Sequence, residues 1–185
     1  MGEIIRITTP LSEAVSRSLV AGDNVLITGK IFVARDAAHK RMVEGLDAGK
    51  PLPVDLTGAI IYYMGPSPAR PGQAIGAAGP TTSGRMDKYA PRIIGCGLKG
   101  MLGKGQRSEA VVAAMKKYGC VYFAAIGGAG ALNSKRIKKY EVLAYSELGP
   151  EALSAIEVED FPATVVIDCE GNNQYLKGQA EYCEL

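Results

Sequence analysis

The sequence predicts a compact α/β domain built on a mixed sheet. Strand-like apolar runs alternate with helical stripes along the chain, which calls for helices packed on a sheet. Hairpin-like pairs interrupt that alternation, which favours a mixed sheet over a purely parallel, doubly wound one. The length of 185 residues, 47% of them apolar, is enough for one sizeable core. With no internal repeat, low-complexity tract or long linker, residues 1–185 are expected to form a single domain.

The elements follow in order. "EIIRIT" reads as the opening strand. Thr9 is the expected N-cap of a first helix, with Pro10 at its first position, a stripe of Leu11, Ala14, Val15 and Leu19, and Gly22 as its stop. "NVLITGKIFVA" is β-rich, with Thr28-Gly29 as a bend or hairpin turn. "RDAAHKRMVEGLDAG" is helical, with Ala38, Met42, Val43 and Leu46 on its apolar side. "GAIIYYMG" is an apolar run bounded by glycines, as expected of a buried strand. "PSPARPG" is a loop, and "MDKYAPRII" suits a short helix. "SEAVVAAMKKYG" is the clearest helix: Ser108 caps it, Val111, Ala114, Met115 and Tyr118 share a face, and Gly119 stops it. "CVYFAAIG" is a second buried strand. "GGAGALNSKRIKKY" is a glycine-rich turn leading into a basic surface segment. "EVLAY" and "ATVVIDCEGNNQYLKG" complete the strands, the latter as a hairpin turning at Glu170-Gly171-Asn172-Asn173.

Composition excludes several classes of function. A net charge of +2 gives no large field for nucleic acid or an anionic membrane. Trp is absent and aromatics are few, so base-stacking platforms are not expected. No apolar run approaches the ~18 residues of a membrane span. The start "MGEIIRITTP" has no signal-peptide h-region, so a soluble, cytoplasmic protein is expected. Cys96, Cys120, Cys169 and Cys183 form no C-x-x-C pair, so a zinc ribbon or ferredoxin-like cluster is not expected. The first three sit in or beside apolar stretches and read as buried free thiols.

Four segments combine glycines with polar residues at expected strand ends: "GKIFVARDAAHKR", "GPTTSGRMD", "GLKGMLGKGQRS" and "GGAGALN". Ligands of α/β domains bind where such loops gather, and glycines let backbone N–H groups approach an anion. Phosphate-loop templates fit badly, because Lys104 is followed by Gly105 rather than Ser or Thr. Arg35, Arg85 and Lys104 are the cations of these loops and together suit a small dicarboxylate. Any one of them alone reads more readily as an ordinary solvated surface charge. Asp36 pairs with a neighbour or starts the helix. His39, the only histidine, has no Ser or Cys partner in view and reads as structural.

"TGKIFVARDAAHKR", "YYMGP", "GPTTSGRMD" and "GKG", in that order, resemble the β subunit of class I, iron–sulfur-dependent fumarases. The C-terminal domain of single-chain class I fumarases and the β subunit of L-tartrate dehydratase share this pattern, over roughly residues 8–178. The resemblance implies a swivelling β/β/α domain similar to the mobile domain of aconitase. It also implies reversible hydration of fumarate to (S)-malate at a [4Fe-4S] cluster held by a partner α subunit, with none bound by this chain. By motif, Thr81 matches the base, and Arg35, Arg85 and Lys104 match carboxylate-binding positions. Asp36, a second catalytic candidate, and His39 fall in the "RD-x-x-H" part of the motif. The chain should be inactive without its α subunit. L-tartrate dehydratase is the nearest rival, and a non-catalytic anion-binding or regulatory subunit is the rival from another class.

Overall fold

The computed structural model describes residues 3–69, 71–125 and 130–182. Seven strands form one mixed sheet in the order β1-β2-β3-β4-β5-β7-β6. They are β1 (Ile5–Thr8), β2 (Asn24–Val33), β3 (Ile60–Tyr62), β4 (Gly100–Gly103), β5 (Val121–Ala124), β6 (Ile137–Ala144) and β7 (Leu153–Ile167). β1 to β5 run parallel to their neighbours, while β7 is antiparallel to β2, β5 and β6. The pairing of β2 with β7 runs from Asn24↔Thr164 to Val33↔Ser154 and closes the sheet on itself through β3, β4 and β5.

Alternation along the strands sorts the apolar side chains into two clusters. Ile60, Tyr62, Leu102, Val121 and Phe123 join Ile27, Ile31, Ile156 and Phe161 inside the ring. Ile61, Tyr63, Met101 and Tyr122 point outward, under α2 (Asp36–Asp47), α3 (Ala90–Ile94) and α4 (Glu109–Tyr118). Those helices contribute Ala38, Met42, Ile93, Val111 and Met115. β3, β4 and β5 are therefore buried on both faces, which is why β3 and β5 read as continuous apolar runs.

Several elements differ from expectation. The first helix, α1, is only Glu13–Ser18, and its N-cap is Ser12, whose Oγ accepts from the Val15 N–H (3.2 Å). The Leu11 N–H already donates to the Gly58 carbonyl, so the chain at Pro10 belongs to a loop contact rather than a helical turn. Leu11 and Leu19 are buried beside α1, whereas Ala14 and Val15 face water. Gly29 is a bend within β2, not a hairpin turn: its φ is 120° and the register with β7 shifts there. "MDKYAPRII" divides into a 3-10 turn, Ser83–Met86, and α3. Tyr118 lies exposed rather than on the packed face of α4. The basic segment after α5 (Gly130–Ser134) is part of β6.

The expected C-terminal hairpin is reduced to one antiparallel bridge, Ile167↔Asn173, and its second strand is replaced by a helix. β7 is a 15-residue strand, and the chain then enters α6 (Gln174–Tyr182). The Asp168 carboxylate accepts from the N–H groups of Glu170, Asn172 and Ala21 and from the Asn172 side chain, which folds residues 168–172 tightly. Asn173 Oδ1 accepts from the Tyr175 N–H as the helix begins. Pro162 lies inside β7 opposite Leu26, and the strand begins at Leu153, ten residues before the expected "ATVVI" run.

Among the described residues no helix is long and apolar enough to cross a membrane. Cys120 and Cys169 are buried free thiols and Cys96 is half-buried; Cys183 lies outside the described residues.

β4 was not legible as a strand because glycines begin and end it. Gly100 is required for packing rather than for a turn: a Cβ there would lie 2.8 Å from Ile60 Cγ1 and 3.1 Å from the Phe123 ring. Gly100→Ala is therefore expected to destabilise the chain by about 1–3 kcal/mol through overpacking. Urea unfolding followed by circular dichroism measures it, and an unchanged midpoint would show that the ring interior yields.

Candidate functional site

Three crossovers deliver polar side chains to the carboxyl ends of β2, β3 and β4. β2 ends at Val33, and after Ala34 the chain turns into α2 with Arg35 at its N-cap and Asp36 in its first turn. β3 and β4 pair up to Tyr62 and Leu102, and the Tyr63 N–H still donates to the Leu102 carbonyl. Beyond that point residues 80–83 lie between the two strand ends. Pro80 pairs with Met64 on one side, and Thr82 pairs with Lys104 on the other. The Thr81 N–H donates to the Tyr63 carbonyl (2.7 Å), and the Ser83 N–H to the Lys104 carbonyl (2.9 Å). The loop carrying Thr81 thus lies as an extra strand-like segment in the fork.

Ser83 fastens the wedge. It is wholly buried, and its Oγ accepts from the Lys104 N–H (3.1 Å) and lies 2.8 Å from the Tyr122 hydroxyl. That hydroxyl is also 2.9 Å from the Gly105 carbonyl. One phenol proton serves one acceptor at a time, so with Gly105 taking it the Ser83 proton completes the bridge to Tyr122. Gly103 must be glycine, since any Cβ there would collide with Ser83 Oγ.

Beneath the wedge Arg107 lies between two aromatic rings, 5.3 Å from the Tyr63 centroid and 5.1 Å from that of Tyr122. Its side chain is fully buried, with Nε bonded to Asp87 (2.7 Å) and Nη1 to Met101 Sδ (3.1 Å). Asp87 also accepts from the Ser108 N–H (2.6 Å), so Ser108 begins α4 held by that carboxylate rather than by its own hydroxyl. The carboxylate and the two ring faces offset part of the cost of burying this cation, while its Nη2 has no hydrogen-bond partner among the described residues. Sequence inspection passed over Arg107, Asp87, Ser83 and Tyr122. Only "TTSGRMD" signalled Ser83 and Asp87, while Tyr122 was indistinguishable from its apolar neighbours.

At the rim, Arg35, Asp36 and Arg85 come together. Arg85 Nη2 donates to Asp36 Oδ2 (2.9 Å), Asp36 Oδ1 is 4.0 Å from Arg35 Nε, and Arg35 Nη2 is 3.1 Å from Glu151 Oε1. Arg85 sits in the 3-10 turn that starts after Thr82, not on one face of an α-helix with Thr81. Lys104 joins through its backbone beside Thr82 and Ser83, with its side chain exposed. Thr81 is half-buried and Thr82 exposed. Part of the "GGAGALN" stretch lies outside the described residues, and a cavity of about 390 Å³ beside Asn133 shares none of these side chains. The site is an open shelf, with 47% of the Arg85 side chain facing water.

His39 lies below the shelf, fully buried, with Nδ1 2.8 Å from the Arg35 carbonyl and its ring edge-on to Tyr63. Burial pushes its pKa down to about 4, with the Arg107 charge adding to the effect. The ring is therefore neutral, donates from Nδ1, and serves as a brace for the turn at Arg35. Among the described residues no three Cys, His, Asp or Glu side chains gather, and burial holds the Cys120 thiol up at about 12.

The shelf of arginines beside the threonine loop stands at the strand ends of a mixed α/β domain. More particularly, the chain belongs to the family described as fumarase C-terminus, whose model matches residues 2–178. It is 46% identical to fumarate hydratase 2 of Leishmania major over 84% of this chain and 28% of that protein. It is 39% identical to the aerobic class I fumarate hydratase of Escherichia coli K12 over 98% of this chain and 34% of that one. It is 37% identical to a Methanocaldococcus jannaschii protein provisionally named L(+)-tartrate dehydratase subunit beta, over 86% of this chain and 85% of that one. The chain thus spans about a third of the curated fumarate hydratases it matches.

The depressed pKa of His39 has a signed consequence. Stability present above the unfolded pKa of 6.5 is lost as pH falls from there toward 4, because only the unfolded chain takes up the proton. Replacing His39 by Asn should remove up to about 3 kcal/mol of that acid-dependent loss, whatever it does to stability at pH 8. Urea midpoints between pH 8 and pH 4 test this, and parallel profiles for the two proteins would contradict it.

Proposed function

We propose that this chain is the β subunit of a two-subunit hydro-lyase that interconverts fumarate and (S)-malate in the cytoplasm. It would be a single swivelling domain, of the kind that moves in aconitase, carrying the base and the carboxylate clamps. The observation that supports this best is the shelf itself: Thr81, Lys104, Arg35 and Arg85 come from three separate crossovers and meet at neighbouring strand ends. A subunit with dispersed cations would suit the regulatory alternative instead.

The chemistry follows from those groups. Dehydration takes a proton from the carbon next to one carboxylate while hydroxide departs from the neighbouring carbon. Arg35, Arg85 and Lys104 bind the carboxylate that absorbs the developing charge. Thr81, its backbone held on Tyr63, first loses its hydroxyl proton to solvent under the influence of those cations, and the alkoxide then takes the substrate proton. Asp36, between the two arginines, orients them and offsets their mutual repulsion until a substrate carboxylate competes. Activation of the leaving hydroxyl belongs to the partner α subunit, which on this reading holds the [4Fe-4S] cluster. The partner also supplies what an open shelf lacks, because ion pairs half-exposed to water are weak until a second surface dries them.

The L(+)-tartrate reading has its own support in the relative matched over most of both chains. Co-expression with a cluster-binding α subunit under anaerobic conditions, then assays on malate, fumarate and both tartrates, separates the two. No turnover of any of them would leave the regulatory alternative.

In the complex, Thr81→Ala should lower kcat roughly 10²–10⁴-fold with assembly intact, as loss of a general base does. Thr81→Ser should retain more activity than Thr81→Ala, and Thr82→Ala should act mainly on stability. Turnover near normal in Thr81→Ala would move the base elsewhere. Arg85→Ala should cost about 1.5–3 kcal/mol in kcat/KM, the worth of a charge-assisted hydrogen bond. A loss below twofold would remove Arg85 from the clamp.

A further inference from the structure

We propose that Glu151 is a positioning residue that sets the reach of Arg35 toward a substrate carboxylate, an inference that rests on the hydro-lyase function above. Glu151 ends the 3-10 segment Ser146–Glu151, just before β7, and nothing in the sequence around it signals a site. Its two carboxylate oxygens do different work. Oε1 lies 3.1 Å from Arg35 Nη2, and Oε2 accepts from the Ala37 N–H at 3.3 Å.

The pair of contacts joins a side chain to the backbone that carries it. Arg35 is the N-cap of α2 but makes no capping hydrogen bond of its own. Glu151 therefore takes one of the orphan first-turn N–H groups and fixes the arginine of the same turn. Asp36 is the looser neighbour, at 4.0 Å from Nε. Opposite, Gly65 leaves room for Arg35 Nη1, where any Cβ would collide. With 20% of the Arg35 side chain and 26% of Glu151 exposed, this pair is drier than the Arg85–Asp36 pair and holds its geometry better. A guanidinium gripped at Nη2 and laid over Gly65 has its remaining donors oriented before substrate arrives, which lowers the ordering cost of binding.

Glu151→Gln keeps size and an acceptor for Ala37 but removes the charge, and Glu151→Asp keeps the charge on a shorter arm. Both are made in the co-expressed complex, alone and with Arg35→Ala. Glu151→Gln should raise KM for malate on the order of tenfold with kcat changed less than about threefold, the pattern of lost ground-state binding. Glu151→Asp should recover part of that loss. In the Arg35→Ala background Glu151→Gln should add less than about twofold, because its target is gone. An unchanged KM, or the same KM change without Arg35, would overturn the proposal, and so would a lowered melting temperature with normal KM, which marks a helix cap only. Nitrogen-15 relaxation of the Arg35 Nε–H group in the full chain adds a readout independent of turnover. Glu151→Gln should lower its order parameter, and an unchanged value would overturn the proposal. Should the unaltered complex turn over no dicarboxylate, the hydro-lyase function falls while this measurement still decides whether Glu151 holds Arg35.

Discussion

The antiparallel pairing of β2 with β7 is the constraint on which the rest depends. It is the longest pairing in the sheet and closes the ring that gives β3, β4 and β5 two buried faces. Closure fixes the splay of β3 and β4, since both must fit between β2 on one side and β5 on the other. The fork at their carboxyl ends follows from that splay, and residues 80–83 fill it. If β7 were lost, β2 and β5 would become open edges and the fork would have no defined width.

Rigidity and exposure are divided sharply at this site. Below the shelf, Ser83, Tyr122, Arg107 and Asp87 form a buried polar network whose main contacts run to backbone, to aromatic faces or to one another. Such a network is costly to leave half-satisfied and therefore holds one geometry. Above it, Arg85, Lys104 and Thr82 face water. On the proposed function the threonine base and the arginine clamp would need a lower dielectric than this half-exposed shelf provides. That combination suits the proposed closure against a partner subunit.

Much of the site was legible in the sequence because its residues cluster in short motifs with glycines. Arg35 and Asp36 sit together, as do Thr81 and Arg85, and Lys104 lies in "GKG". Glu151 was invisible, since it reaches the site only across the sheet from a Gly-Pro turn. His39 read as structural, and its burial against Tyr63 gives the reason. Arg107 went unmarked, because no local pattern signals a guanidinium that two distant tyrosines will cover.

By itself the sequence determined the helices with clear apolar stripes, the buried strands with unbroken apolar runs, and the family to which the motifs belong. These depend on neighbours within a few residues, where periodicity and capping act. Tertiary structure alone decided that Pro162 lies within a long strand, that Gly100–Gly103 is a strand at all, and that the expected C-terminal hairpin is a helix. It also decided which polar residues meet. Each of these outcomes is fixed by a partner more than twenty residues away or by a carboxylate such as Asp168 gathering several backbone N–H groups at once, and neither leaves a local trace.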